Sequence, residues 1–292
     1  MSSFLKNMGF WGRSLALIIL TLFMLILSIL FGGVFSVVFF GQDSVVHQDV
    51  PVLLFLHIFT SVIAFVGTPL LFASICIPQK IPQALCFSSR PKALSMLICM
   101  LAMMVSAPLV SYLEEINLSM TLPESMQGIE QWMREREDAA RVITEKFTNT
   151  SSLGGLTINI LALAIVPAVG EELYFRAVVQ RNILEHTTPI GKYISAIIAA
   201  IIFSAIHLQF FGFLPRMVLG VLLGIMLVIT NNIWCSVFAH FVNNAMAVLG
   251  AFVMARGAGM EVSQYSCSLW AAIGSMILCA GLLYLLYKIE KK

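Results

Sequence analysis

Two adjacent carboxylates, Glu171 and Glu172, stand near the end of an apolar run that begins close to Leu156, and Arg176 follows four residues later. A charged group inside a membrane helix costs roughly 2.5 to 3.5 kcal/mol even on lenient insertion scales. No other predicted span carries an acidic residue in its apolar interior. Two later apolar runs each hold a histidine, His207 and His240, and Asn244 lies one helical turn beyond the second. Carboxylates and imidazoles kept together in apolar helices mark a functional site. The chemistry these types support is hydrolysis by an activated water.

The spacing divides the labour. Glu172 and Arg176 are four apart, acid first, which favours an ion pair within one helix. Glu171 points about 100° away around the same helix and keeps a free carboxylate. A buried carboxylate of that kind suits a general base for water. His207, in Phe203-Ser204-Ala205-Ile206-His207, is placed to share that water or to orient the carboxylate. His240 and Asn244 share a helix face, so their N–H groups can converge on one oxygen as an oxyanion hole. Each piece alone is common in ordinary helices; their coincidence in three of four consecutive spans carries the inference.

Other proteolytic chemistries fit less well. No histidine has the His-Glu-x-x-His spacing of the common zinc-protease helix. Asp43 and Asp49 both fall in a loop, so no intramembrane aspartate pair exists. Ser204 precedes His207 by three residues but lacks a glycine-framed nucleophile turn. The six cysteines are scattered, with no Cys-x-x-Cys, which argues against a disulfide framework and a zinc–thiolate site.

The three motifs, Glu171-Glu172-x-x-x-Arg176, Phe203-x-x-x-His207 and His240-x-x-x-Asn244, resemble those of the CPBP intramembrane proteases, also called the Abi family. That family includes the type II CAAX prenyl endopeptidases and bacteriocin-processing relatives. The resemblance covers about 156–254, a third of the chain. It implies that Glu171 and His207 activate water, that His240 and Asn244 hold the oxyanion, and that Glu172 and Arg176 support them. It also implies a membrane-associated peptide substrate, CAAX-like and prenylated or of bacteriocin-leader type. No cofactor is expected. The alternative is a zinc site built from Glu171, His207 and His240, with water as the fourth ligand. The competing function is a non-proteolytic scaffold or transporter that keeps the polar cluster for helix packing or proton coupling. Nucleic acid is not an expected partner.

The elements that must position these residues are membrane helices. Of 292 residues 59% are hydrophobic and 11% charged, with a mean hydropathy of +0.94; soluble domains carry about 25% charged residues. The expected fold is an all-α transmembrane bundle of about eight spans, near 14–40, 52–77, 93–112, 154–184, 193–211, 214–230, 233–254 and 267–287. The pieces are three N-terminal helices (1–113), an extracytoplasmic amphipathic segment (114–153), the catalytic core (154–254), and a last helix with a basic tail (255–292). Segment 114–152 holds eight acids and four bases. Thr121-Leu122-Pro123-Glu124 suggests a capping box, and Glu130/Arg134 and Glu137/Arg141 suggest ion pairs. Its helix is expected to lie at the interface, to cap the bundle, or merely to connect. Basic loops at 78–92 and at the tail place both termini inside the cytoplasmic membrane under the positive-inside rule, with the site reached from that side. The loop holding only Arg216 says nothing about orientation. His57, alone in the second span, reads as a packed histidine. Gly220-x-x-x-Gly224 permits a close helix approach, although in one span it is weak.

Overall fold

The structure, a computed structural model, describes residues 2–87, 89–257 and 267–291. About 85% is helix, and no strand occurs among the described residues. The principal helices are α1 (Phe10–Phe40), α2 (Val50–Cys76), α3 (Ala93–Ser119), α4 (Gln127–Thr148), α5 (Leu153–Glu185), α6 (Lys192–Ala205), α7 (Phe213–Thr230), α8 (Ile233–Ala255) and α9 (Leu269–Glu290). All but α4 and α6 are long and apolar enough to cross a membrane. The all-α polytopic bundle is therefore as expected. The expected outer loop after α8 falls mostly outside the described residues.

The fifth expected span differs. α6 has 14 residues, about 21 Å at 1.5 Å per residue, against a hydrocarbon core of about 30 Å. The helix stops at Ala205; Leu208 then takes a positive φ of 54°, and a short turn at Phe210–Gly212 leads straight into α7. Seven helices meet the length and apolarity needed for spanning, and α6 is a shorter apolar helix beside them.

Hydrogen bonds fix the two ends of the bundle. At one end the Ile233 N–H donates to the Cys86 carbonyl at 2.9 Å, Asn232 Nδ2 donates to the Ser89 carbonyl at 2.7 Å, and Lys92 pairs with Glu290 at 3.4 Å. Asn182 Nδ2 donates to the Ala84 carbonyl at 2.7 Å, and Arg13 Nη1 to the Asn182 carbonyl at 2.8 Å. At the other end Asn117 grips the α6–α7 connection, donating to the Phe210 carbonyl at 3.0 Å and accepting from the Leu214 N–H at 2.8 Å.

The polar helix α4 lies across that second end as a cap. Glu137 accepts the Phe211 N–H at 3.3 Å, Trp132 packs on Phe210 at 5.4 Å, and the Arg134 guanidinium sits 4.4 Å above the Phe211 ring. Asn159 of α5 donates to the Phe147 carbonyl at 2.7 Å. Two local expectations change as a result. Thr121 makes no capping box; the Leu122 N–H goes to Glu130 at 2.8 Å instead. Glu130 does pair with Arg134, at 2.6 Å. Glu137 turns inward to the loop, however, and Arg141 pairs with Asp138 and Glu145, each at 3.0 Å.

The glycine pair of α7 does more than a lone motif promises. A Cβ at Gly224 would lie 2.9 Å from the Ala196 Cβ and 2.8 Å from Gln180 Oε1, and one at Gly220 would lie 3.0 Å from the Ala200 Cβ. Small residues on both helices let α7 close onto α6 and α5. Its bared carbonyls then accept from α5: Gly220 from Arg176 Nη2 at 3.2 Å and Gly224 from Gln180 Nε2 at 3.1 Å.

Candidate active site

The backbone of α5 widens from α to π geometry at Ile160–Ile165 and again at Glu172–Glu185. Glu171 is the last residue of the α segment between them, and Glu172 opens the second widened stretch. Such π segments recur at functional sites. The expected pair forms across this junction, with Arg176 Nε 3.3 Å from Glu172 Oε2. Both side chains are buried, Glu172 at 0% exposure and Arg176 at 1%. The Arg176 guanidinium also lies 4.6 Å from the centroid of the Phe203 ring. It is thus bracketed by a carboxylate, the Gly220 carbonyl and an aromatic face.

Glu172 has a second partner that spacing along one helix does not reveal. Its Oε1 accepts from His240 Nδ1 of α8 at 3.0 Å. A carboxylate can only accept here, so the proton sits on Nδ1 and the ring presents Nε2 to the other side. There it meets Glu171, whose Oε2 is 3.7 Å from Nε2. Adjacent glutamates therefore flank one imidazole, one buried and one on a cavity wall with 18% of its side chain exposed.

His207 stands just past the C-terminal end of α6, not within a helix as expected. Its Nδ1 donates to the Phe203 carbonyl at 2.7 Å, which fixes the tautomer and leaves Nε2 uncommitted. The Phe203 ring lies edge-on to both His207, at 4.9 Å, and His240, at 6.2 Å. Ser204 is tied to the Phe213 carbonyl at 2.7 Å, away from His207. Asn244 is one turn beyond His240, and its Oδ1 accepts from Asn243 at 3.1 Å. That bond leaves the Asn244 amide N–H groups to donate elsewhere.

Glu171, His207, His240 and Asn244 all line one cavity of about 580 Å³. Its wall also includes His57 of α2, Glu114 of α3, Thr144 and Thr148 of α4, and Arg216 of α7. The cavity thus faces the end of the bundle capped by α4. Among the described lining residues none comes from 78–92, 185–192 or 231–232, so the expectation of access from the basic-loop end is corrected. The reason is the length of α6. It ends early, and the turn carrying His207 folds back beneath α4.

His57 packs as expected and also lines the cavity. Its Nε2 is buried with no hydrogen-bond partner, its ring rests 5.9 Å from Phe147, and it borders a second cavity of about 400 Å³ that shares Pro167, Glu171 and His207 with the first. Asn243, Gln209 and Arg216 were likewise not singled out by motif spacing. Only the lone charge of Arg216 in an apolar stretch could have drawn attention to it.

The zinc alternative calls on the same side chains. Among the described residues no three His, Cys, Asp or Glu side chains are grouped so as to hold a metal ion. His240 Nδ1 is held by Glu172 and His207 Nδ1 by a backbone carbonyl, which orients both rings and leaves both Nε2 atoms toward the cavity, the form that serves a water-activating base and a metal ligand alike.

Carboxylate, imidazole and amide side chains thus gather on one cavity sunk in a helical bundle. Residues 153–246 match the family model described as Type II CAAX prenyl endopeptidase Rce1-like. The matched stretch runs from the start of α5 into α8 and contains Glu171, Glu172, Arg176, His207, His240 and Asn244. Comparison with curated proteins gives no match, and comparison with solved structures gives none either. The family match and the membrane-capable helices together support an integral-membrane protease acting on a peptide substrate.

Proposed function

We propose that the protein is an intramembrane endopeptidase in which Glu171 is the general base. Glu171, helped by His207 Nε2, takes a proton from water. The resulting hydroxide attacks the scissile carbonyl carbon, and charge develops on the carbonyl oxygen. Asn244 and His240 donate to that oxygen; for His240 this requires a proton on Nε2 as well as Nδ1, an imidazolium flanked by Glu171 and Glu172. Collapse of the tetrahedral intermediate breaks the C–N bond, and the proton held by Glu171 passes to the leaving amine. Glu172 and Arg176 hold His240 in register and touch no reacting atom.

The observation that carries this reading is the asymmetry of the two glutamates. Glu172 is pinned by Arg176 and His240, whereas Glu171 faces the cavity and, among the described residues, is within hydrogen-bond reach of nothing. The proposed mechanism uses no metal. The substrate class follows the family match: a membrane-associated peptide whose prenylated cysteine precedes the cleaved bond.

The test is direct. Purified protein in lipid nanodiscs is incubated with a farnesyl-cysteine peptide bearing three apolar residues after the cysteine, and products are read by mass spectrometry. Wild type is expected to release the C-terminal tripeptide, and Glu171→Gln to release none. Absence of cleavage by wild type would remove the prenyl-peptide assignment, and unimpaired cleavage by Glu171→Gln would remove the mechanism.

A further inference from the structure

Arg216 is the basic residue on the cavity wall that the catalytic scheme leaves unused. It lies in the first turn of α7, an 18-residue helix whose positive end favours anions nearby. Nη1 donates to the Gln209 carbonyl at 3.3 Å and Nη2 to Gln209 Oε1 at 3.0 Å. Both acceptors are neutral. Among the described residues no carboxylate lies within ion-pair distance of the guanidinium; Glu137, on the cap above, accepts from the Phe211 N–H instead. A Cβ at position 212 would come within 2.9 Å of Nη2, so Gly212 leaves the room in which the guanidinium sits.

An arginine held in place by neutral groups, with donors to spare, is prepared for an anion that arrives later. It shares its cavity wall with Glu171, His207, His240 and Asn244. Most of the remaining wall, including Met103, Val110, Leu219, Leu223 and Ala247, is apolar. A short apolar peptide fits such a chamber, and the single anion that every peptide tail brings is its terminal carboxylate.

We propose that Arg216, positioned by Gln209 and Gly212, binds the free C-terminal carboxylate of the substrate, so that the enzyme cuts a fixed short distance from a chain end. The proposal rests on the proteolytic reading of the site and adds how that site measures its substrate. An internal peptide bond far from a chain end would bring no carboxylate to Arg216 and would be a poor substrate.

Binding separates this proposal from the mechanism, because Glu171→Gln holds a peptide without cutting it. Fluorescently labelled farnesyl-cysteine peptides with three apolar residues, one ending in a free acid and one in an amide, are titrated onto Glu171→Gln protein in nanodiscs. The acid is expected to bind about ten- to a hundredfold more tightly, the range of one charge-assisted contact. Adding Arg216→Gln should erase that difference, and Arg216→Lys should restore only part of it. Equal affinity of acid and amide would overturn the proposal whatever the variants do. So would an equal loss of both peptides on Arg216→Gln, which would make Arg216 a counter-charge for Glu171. A clear acid preference in a protein that cuts neither peptide would keep the carboxylate site while ending the proteolytic reading.

Discussion

Glu171 and Glu172 differ by one position in the chain and by everything they touch. Replacing Glu172 with Gln strips the charge from a group that is 0% exposed and holds both Arg176 and His240. Breaking a buried pair by removing one partner costs about 3–5 kcal/mol, so Glu172→Gln should lower the unfolding midpoint in detergent and lose activity with it. Glu171→Gln should leave the midpoint nearly unchanged and lower turnover by about a hundred- to ten-thousandfold, the span of a lost general base. Equal destabilisation by both substitutions, with activity kept, would reverse these roles. A second outcome concerns metal. Protein stripped with a strong chelator should cleave as untreated protein does and bind no stoichiometric zinc on addition. Activity lost on stripping and recovered with zinc would bring His207 and His240 back as ligands.

At the level of helices, packing residues set the site as firmly as catalytic ones. Gly224 lets α7 approach α6 and α5 until its carbonyl meets Gln180, one turn beyond the Arg176 contact with Gly220. Gly224→Ala should therefore cost about 1–3 kcal/mol by overpacking. Gly274→Ala, on α9 with nothing within 4 Å of its Cβ, should be neutral or slightly stabilising, since alanine is the better helix former. Thermal unfolding of both variants in one detergent checks the contrast. The same elements show how far the sequence could be read. The apolar runs and the three motifs were legible because membrane burial penalises every charge that lacks a purpose, which made Glu171, Glu172 and Arg176 conspicuous. The His240–Glu172 bond was not, because it joins residues 68 apart and no spacing rule along one helix reports a contact between two. The π geometry of α5 escaped for a related reason: residue type encodes apolarity and capping, not whether a buried turn closes at i+4 or i+5. The early stop of α6 was signalled only faintly, by Gly212 and Pro215 downstream, while the apolar residues up to Phe211 argued for a longer helix.

Across the whole molecule, charge is distributed by end. Lys80, Arg90, Lys92, Arg181, Lys192 and Lys288 gather at the end where Asn232 meets Ser89 and Lys92 meets Glu290. The acid-rich cap and the cavity lie at the other end. We propose, from the positive-inside rule, that the basic end faces the cytoplasm and that the cavity opens on the opposite face, beneath α4. That placement can be measured with single cysteines. The native cysteines are buried apart from half-buried Cys267, so a Cys267→Ser background leaves little to label. In intact cells a membrane-impermeant maleimide should reach cysteine introduced at Gln127, on the cap, but should reach one at Ser89 or Thr187 only after permeabilisation. Cysteine at Thr148, on the cavity wall, should follow Gln127, and its modification should block cleavage by obstructing the route to Glu171. Labelling of Ser89 and Thr187 in intact cells, with Gln127 protected, would invert the bundle. Labelling of Gln127 with Thr148 protected until permeabilisation would leave the bundle upright and refute the mouth beneath α4. The two errors therefore leave different patterns across the same four positions.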